Sequence, residues 1–188
     1  MQKRVFTFPL PPLAAYTAGL LLLCNQAQAH VVLQDPAAAA GSSYRAALRV
    51  GHGCGTEATT VLRVLIPAGF NAAQPMPKPG WTLRTQTGPL AQPYTLHGTT
   101  FTEGVVSITW TANSAQDALP SAYYDEFVLR GMTPKQPGPL WFKVQQLCAN
   151  GRLDWSEVPT SGTTTQGLAS PAALLEVLDI QSGNAHSH

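Results

Sequence analysis

Apolar residues recur at every second position along much of this 188-residue chain. A period of two constrains the fold more than any other feature, because only an extended strand turns alternate side chains to opposite faces. Tyr44, Ala46, Leu48 and Val50 alternate with Arg45, Ala47 and Arg49. Leu62, Val64 and Ile66 alternate with Val61, Arg63 and Leu65 until Pro67 ends the run. Further runs cover 81–87, 94–100, 105–111, 124–130, 140–148 and 153–158. Turn formers such as Pro75-Met76-Pro77-Lys78-Pro79-Gly80 and Pro137-Gly138-Pro139 separate them. About eight short strands with this punctuation predict an all-β fold, a single antiparallel β-sandwich of immunoglobulin/fibronectin-like kind. No helix of convincing length is expected before Pro171. Residues 160–170, rich in Thr, Ser and Gly, read as a linker, and 160–188 as linker plus flexible C-terminal tail.

Charged residues make up only 11% of the chain and hydrophobic ones 44%, a balance that suits a packed core and excludes disorder. Nine of the eleven basic residues and all ten acidic ones follow Ala29, a formal charge of −1. Without a basic patch, nucleic acid is not an expected partner. After residue 29 no apolar run approaches the roughly 20 residues of a membrane helix.

Residues 1–29 read as a secretory signal peptide. Lys3 and Arg4 give the positive start, the stretch from Leu13 to Cys24 the apolar segment, and Ala27 and Ala29 the small residues of a cleavage site. Cleavage after Ala29 makes His30 the first residue of the mature chain and places the product in the periplasm or otherwise outside the cytoplasm. A free N-terminal histidine offers its α-amine and imidazole Nδ1 to one ion, and two coplanar nitrogens suit Cu(II). Cys24 leaves with the signal. Cys54 and Cys148 then form an even pair in an oxidising compartment, which predicts a disulfide. The competing reading is a thiolate metal site with His52. Partners for His30 must come from folded segments. Glu57 could supply a carboxylate, although a loop acid is ordinarily just solvated, and Trp155 is by type a core aromatic. His97 falls in a strand or hairpin, and His186 and His188 in the tail.

Several ordered segments resemble the YcnI-like proteins, exported bacterial copper-binding domains. The likeness runs through Arg49-Val50-Gly51-His52-Gly53-Cys54, Ala58-Thr59-Thr60, Val64-Leu65-Ile66-Pro67 and Pro77-Lys78-Pro79-Gly80-Trp81. It continues through Asp125-Glu126-Phe127, Gln146-Leu147-Cys148, Asn150-Gly151 and Trp155-Ser156-Glu157-Val158-Pro159. The resemblance implies a β-sandwich over residues 30–159 with a single-histidine brace: Cu(II) on the amine and imidazole of His30 and the carboxylate of Glu57, with Trp155 close to the metal. The implied role is copper homeostasis by sequestration, delivery or sensing, without turnover. The partners it implies are the copper ion, other periplasmic copper chaperones and a membrane copper transporter. Two alternatives stand beside it. One is an oxidative copper enzyme of the polysaccharide monooxygenase type, whose brace needs a second histidine, here His52 or His97. The other is a metal-free interaction module.

Overall fold

The alternating runs form strands because each can bury one row of side chains between two sheets. A computed structural model describes residues 30–180 and contains eleven strands and no helix among them. In order these are β1 (Val32–Leu33), β2 (Ala37–Ala39), β3 (Ser43–Val50), β4 (Thr59–Leu65), β5 (Asn71–Pro75) and β6 (Trp81–Leu96). There follow β7 (Thr99–Ala112), β8 (Asp125–Met132), β9 (Gly138–Cys148), β10 (Arg152–Trp155) and β11 (Ala173–Leu178). One sheet has the order β1-β3-β8-β5. The other runs β2-β11-β9-β4-β7-β6, with β10 added to β9.

All pairs are antiparallel except β2 with β11. The facing rows make one core: Leu48, Val50, Phe127 and Leu129 from the first sheet meet Leu62, Val64, Ile108, Trp110, Phe142 and Val144 from the second, all inaccessible to solvent. Phe127 receives Trp81 and Trp110 edge-on, with ring centroids 5.0 and 5.7 Å away. The quadrupoles of aromatic rings favour this arrangement.

Two expectations need correction. The sandwich does not end at Pro159. β11 lies inside its sheet, between the edge strand β2 and β9, and Ala173, Leu175 and Val177 are buried in the core. The segment expected as a linker is a closed loop. The Ser156 and Glu157 N–H groups donate to Ser170 O, Ala172 N–H donates to Glu157 O, and Ser170 N–H donates to the Glu157 carboxylate at 2.7 Å. The second correction joins the run 81–87 to residues 94–96 and breaks the run 94–100 at the turn His97-Gly98, after which Thr99 and Thr100 begin β7. Residues Trp81–Leu96 are one strand, paired along most of its length with β7 in a long hairpin whose ladder shifts between Pro89 and Tyr94.

Cys54 and Cys148 are bonded, with Cα atoms 6.0 Å apart, inside the range a disulfide can span. The bridge ties the segment between β3 and β4 to the end of β9 and so fixes the loop that carries His52 and Glu57.

Candidate metal centre

His30 and Val31 precede β1, which is held in register by Val32 opposite Arg49 and Leu33 opposite Leu48. Val31 is buried, and this anchors the partly buried His30 at the rim of the sandwich. Its imidazole approaches the Trp155 indole with ring centroids 5.6 Å apart and planes tilted by 60°. His30 also opens into a cavity of about 190 Å³ whose lining includes Pro36, Thr163, Thr165 and Ala172. The loop after β10 therefore forms part of the surroundings of His30.

Trp155 ends β10 opposite Val144 of β9 and is only 2% exposed. A buried indole N–H needs an acceptor, and it donates to Gln146 Oε1 at 3.0 Å. Gln146 points inward from β9 and is itself wholly buried. Its Nε2 donates to the backbone oxygen of His52 at 2.6 Å and to Thr59 Oγ1 at 2.7 Å. One amide thus fixes the indole and the backbone of the His52 loop together.

The His52 imidazole meets the same indole edge-on, with centroids 5.9 Å apart. Its Nδ1 lies 2.6 Å from the carbonyl oxygen of Gly53. A carbonyl can only accept, so in the neutral ring Nδ1 carries the proton and Nε2 keeps its lone pair. The next residues are tightly placed. Gly53 N–H donates to Ser121 Oγ at 3.2 Å, and Ser121 Oγ donates to Gly55 O at 2.6 Å. A β-carbon on residue 53 would fall 1.6 Å from the backbone oxygen of Glu57, which leaves glycine as the residue that fits.

Glu57 closes the turn begun at Cys54. Its carboxylate engages the turn between β9 and β10: Oε2 accepts from Asn150 N–H at 2.8 Å and Oε1 from Asn150 Nδ2 at 3.0 Å. The backbone and side-chain donors of Asn150 hold its pKa below the usual carboxylate range. It is therefore an anion at neutral pH, bound within the loop.

Of the four residues singled out around copper, then, the structure gathers His30, Trp155 and His52 about one indole and seats Glu57 against Asn150. His97 sits at the tip of the β6–β7 hairpin with φ of 49° and lines another cavity, with Leu96 and Arg130. His186, His188 and residues 1–29 lie outside the described residues. Among the described residues no three His, Cys, Asp or Glu side chains converge to hold a metal ion. A brace differs from such a cluster in drawing two donors from one residue. Gln146 and Thr59 join the site through hydrogen bonds that the sequence alone does not assign them. A polar residue at an inward position of β9, between Val144 and Cys148, was the available signal.

A family model described as "Domain of unknown function (DUF1775)" matches residues 30–177. The YcnI-like proteins carry the same designation. The chain is also similar to a protein of Nocardia farcinica whose solved structure is titled "Crystal structure of an uncharacterized protein from Nocardia farcinica reveals an immunoglobulin-like fold". The identity is 25% and the TM-score 0.59, over 79% of this chain and 97% of that one. No functionally curated protein matches. The likeness supports the sandwich and an immunoglobulin-like arrangement of its sheets.

Proposed function

The chain belongs to the DUF1775 family, and on that premise we propose that it is an extracytoplasmic Cu(II)-binding protein that sequesters, delivers or senses the ion after residues 1–29 are removed as a signal peptide. The observation that supports this reading is the contact of the His30 imidazole with Trp155, 5.6 Å between centroids. A histidine at a cleavage site is ordinarily mobile, whereas this one is anchored by the buried Val31 and set against an indole whose own orientation is fixed by Gln146.

The donor set fits copper. Once His30 is the first residue, its amine and Nδ1 supply two nitrogens, a pair that matches the tetragonal preference of Cu(II). For a further donor the fold offers the carboxylate of Glu57, which the family resemblance names, and the imidazole of His52. Bound copper would supply a Lewis-acidic and redox-active centre. His30 would hold it, and Trp155 would pack against the His30 imidazole. The proposed role is coordination without turnover, with copper passed to or taken from other copper chaperones or a membrane copper transporter outside the cytoplasm.

Copper titrations and spin-resonance spectra of three forms test the proposal: the chain beginning at His30, the same chain with one residue added before it, and His30→Ala. Metals bind only the deprotonated amine and imidazole. The first form should take up one Cu(II) and release protons on loading. Copper should also quench tryptophan emission, and Trp155→Phe should remove most of that quenching. The added residue converts the amine to an amide and should abolish the tight site. Equal affinity and an identical spectrum in the extended form would refute the brace.

A second histidine at the same indole favours one other reading, a copper-dependent oxidative enzyme of the polysaccharide monooxygenase type. Peroxide formation, or cleavage of chitin or cellulose, by the copper-loaded protein with a reductant and oxygen would assign it.

A further inference from the structure

We propose that the outer face of the first sheet carries a binding site for a small organic carboxylate, in which Arg45 and Arg130 take the carboxylate and Met76 packs against its apolar body. The site shares no residue with the cavity at His30 and does not depend on the copper reading.

Arg45 of β3 and Arg130 of β8 stand directly opposite each other in the ladder, and like charges so placed destabilise a sheet. Neither is neutralised at close range. Arg130 Nε donates to the uncharged Gln74 Oε1 at 2.9 Å, which orients the guanidinium and leaves its terminal N–H groups without a partner among the described residues. Arg45 reaches the Glu126 carboxylate only at 3.6 Å, with its side chain 55% exposed, and that distance exceeds a normal N–H···O contact. Both arginines line one cavity of about 380 Å³, and no acidic residue lines it with them. A carboxylate placed there relieves the repulsion and matches the planar fork of a guanidinium.

The rest of the lining is largely apolar and its backbone is held in place. Met76 follows Pro75, precedes Pro77, is 51% exposed, and lines the cavity with Val128. Its N–H donates to Val128 O at 2.8 Å, and its carbonyl oxygen accepts from the buried Trp110 indole at 3.2 Å. The backbone of this wall is thus tied to β8 and to the core, which lowers the ordering cost of binding, while the thioether stays adaptable. Small-molecule sites occupy roughly 300 to 1,000 Å³ and likewise combine an apolar lining with a few polar groups. A second cavity, of about 270 Å³, shares Ser43, Gln74 and Arg130 with the first and extends the lining to Leu96 and His97. A longer ligand therefore has room to continue.

The chain beginning at His30 is titrated at low salt with sodium hexanoate, sodium acetate and hexanol, and the Nε–Hε signals of its arginines are followed by nuclear magnetic resonance. Hexanoate should shift the signals of Arg45 and Arg130 and leave in place those of Arg63 and Arg84, on β4 and β6 of the other sheet. It should bind at least about tenfold more tightly than acetate, since each methylene withdrawn from water adds roughly fourfold. Hexanol should shift neither arginine. Arg45→Gln and Arg130→Gln should each weaken hexanoate about tenfold or more, the scale of one lost charged hydrogen bond. Arg130→Lys should recover only part of that loss, because an ammonium lacks the planar fork. All three variants should keep the wild-type thermal midpoint to within a few degrees, as substitutions of exposed residues seldom cost more. Equal affinity for acetate and hexanoate, equal shifts at Arg63 and Arg84, or full affinity in both glutamine variants would overturn the proposal and leave only ion pairing with surface arginines. A blocked peptide of leucine, glutamate and leucine that shifts Arg45 and Arg130 where hexanoate does not would overturn it in favour of a protein segment.

Discussion

Replacing Gln146 with methionine should destabilise the domain by about 2 to 4 kcal/mol. Methionine keeps the length and lack of branching of glutamine and removes only its polar atoms. It leaves the Trp155 N–H, which donated at 3.0 Å, and the His52 carbonyl, which accepted at 2.6 Å, without their partner. A stranded buried group costs about 1 to 3 kcal/mol. The Thr59 hydroxyl, formerly 2.7 Å from Nε2, can rotate and adds less. A thioether in an apolar core returns part of the sum, on the order of 1 kcal/mol. With a urea slope of about 1 to 3 kcal/mol per molar, the midpoint should drop by roughly 1 to 2 M. Heating should show a midpoint lower by about 5 to 15 °C. Both measurements belong on protein with the disulfide intact. Gln146→Glu sharpens the test. A carboxylate there can still accept from the indole, but when ionised it cannot donate to His52 O. Burial raises its folded pKa above the usual value near 4.3. The deficit relative to wild type should then be smallest below that value and grow as pH rises toward the folded pKa. A loss under about 1 kcal/mol in Gln146→Met, with no pH trend in Gln146→Glu, would refute the idea that this amide holds the indole and the His52 loop together.

Two further outcomes are expected. Cys54→Ser should cost about 4 to 5 kcal/mol in the loop-entropy account of a bridge spanning 94 residues, and native protein should show no titratable thiol until denatured with reductant. Two thiols reacting freely in the native state would contradict this. Glu57 has a folded pKa below its ordinary value, so it contributes stability that is present above about pH 4.5 and is lost as pH falls through the folded value. Urea midpoints measured against pH should fall less on the acid side for Glu57→Gln than for wild type. Parallel curves would remove Glu57 from the acid response.

The strands with a clean period of two were legible in the sequence. The run from Tyr44 to Val50 lies within β3, the one beginning at Val61 lies in β4, and 140–148 lies within β9. Strand β6 reads as two runs, and Pro89 and Pro93, which lack an N–H, fall between them. It lies at the edge of its sheet, where that loss leaves no interior ladder unpaired. Strand β11 is hidden in the sequence although Ala173, Leu175 and Val177 alternate, since the Thr- and Ser-rich stretch before it has the composition of a linker. A loop of that kind is ordered by hydrogen bonds between its ends, here Glu157 and Ser170, and composition does not encode who closes whom. The site was legible in its residue types and not in its grouping. His30, His52 and Trp155 are brought together by the pairing of β1 with β3 and of β10 with β9. Such contacts between distant segments depend on the whole fold.

The parallel pairing of β2 with β11 sets the order in which the molecule can be completed. Glu176, Val177 and Leu178 lie opposite Ala37, Ala38 and Ala39, so a strand near the start of the domain waits for one near its end. Contacts of such long sequence separation must close a large loop before they gain anything, and they slow folding. The surroundings of His30 share this delay, because Pro36 and Ala172 line one cavity with it. A chain emerging from its N-terminus therefore presents His30 early but lacks the finished pocket until residues beyond 172 arrive. Truncation before β11 leaves that histidine on the first sheet, facing a second sheet that lacks the strand joining β2 to β9.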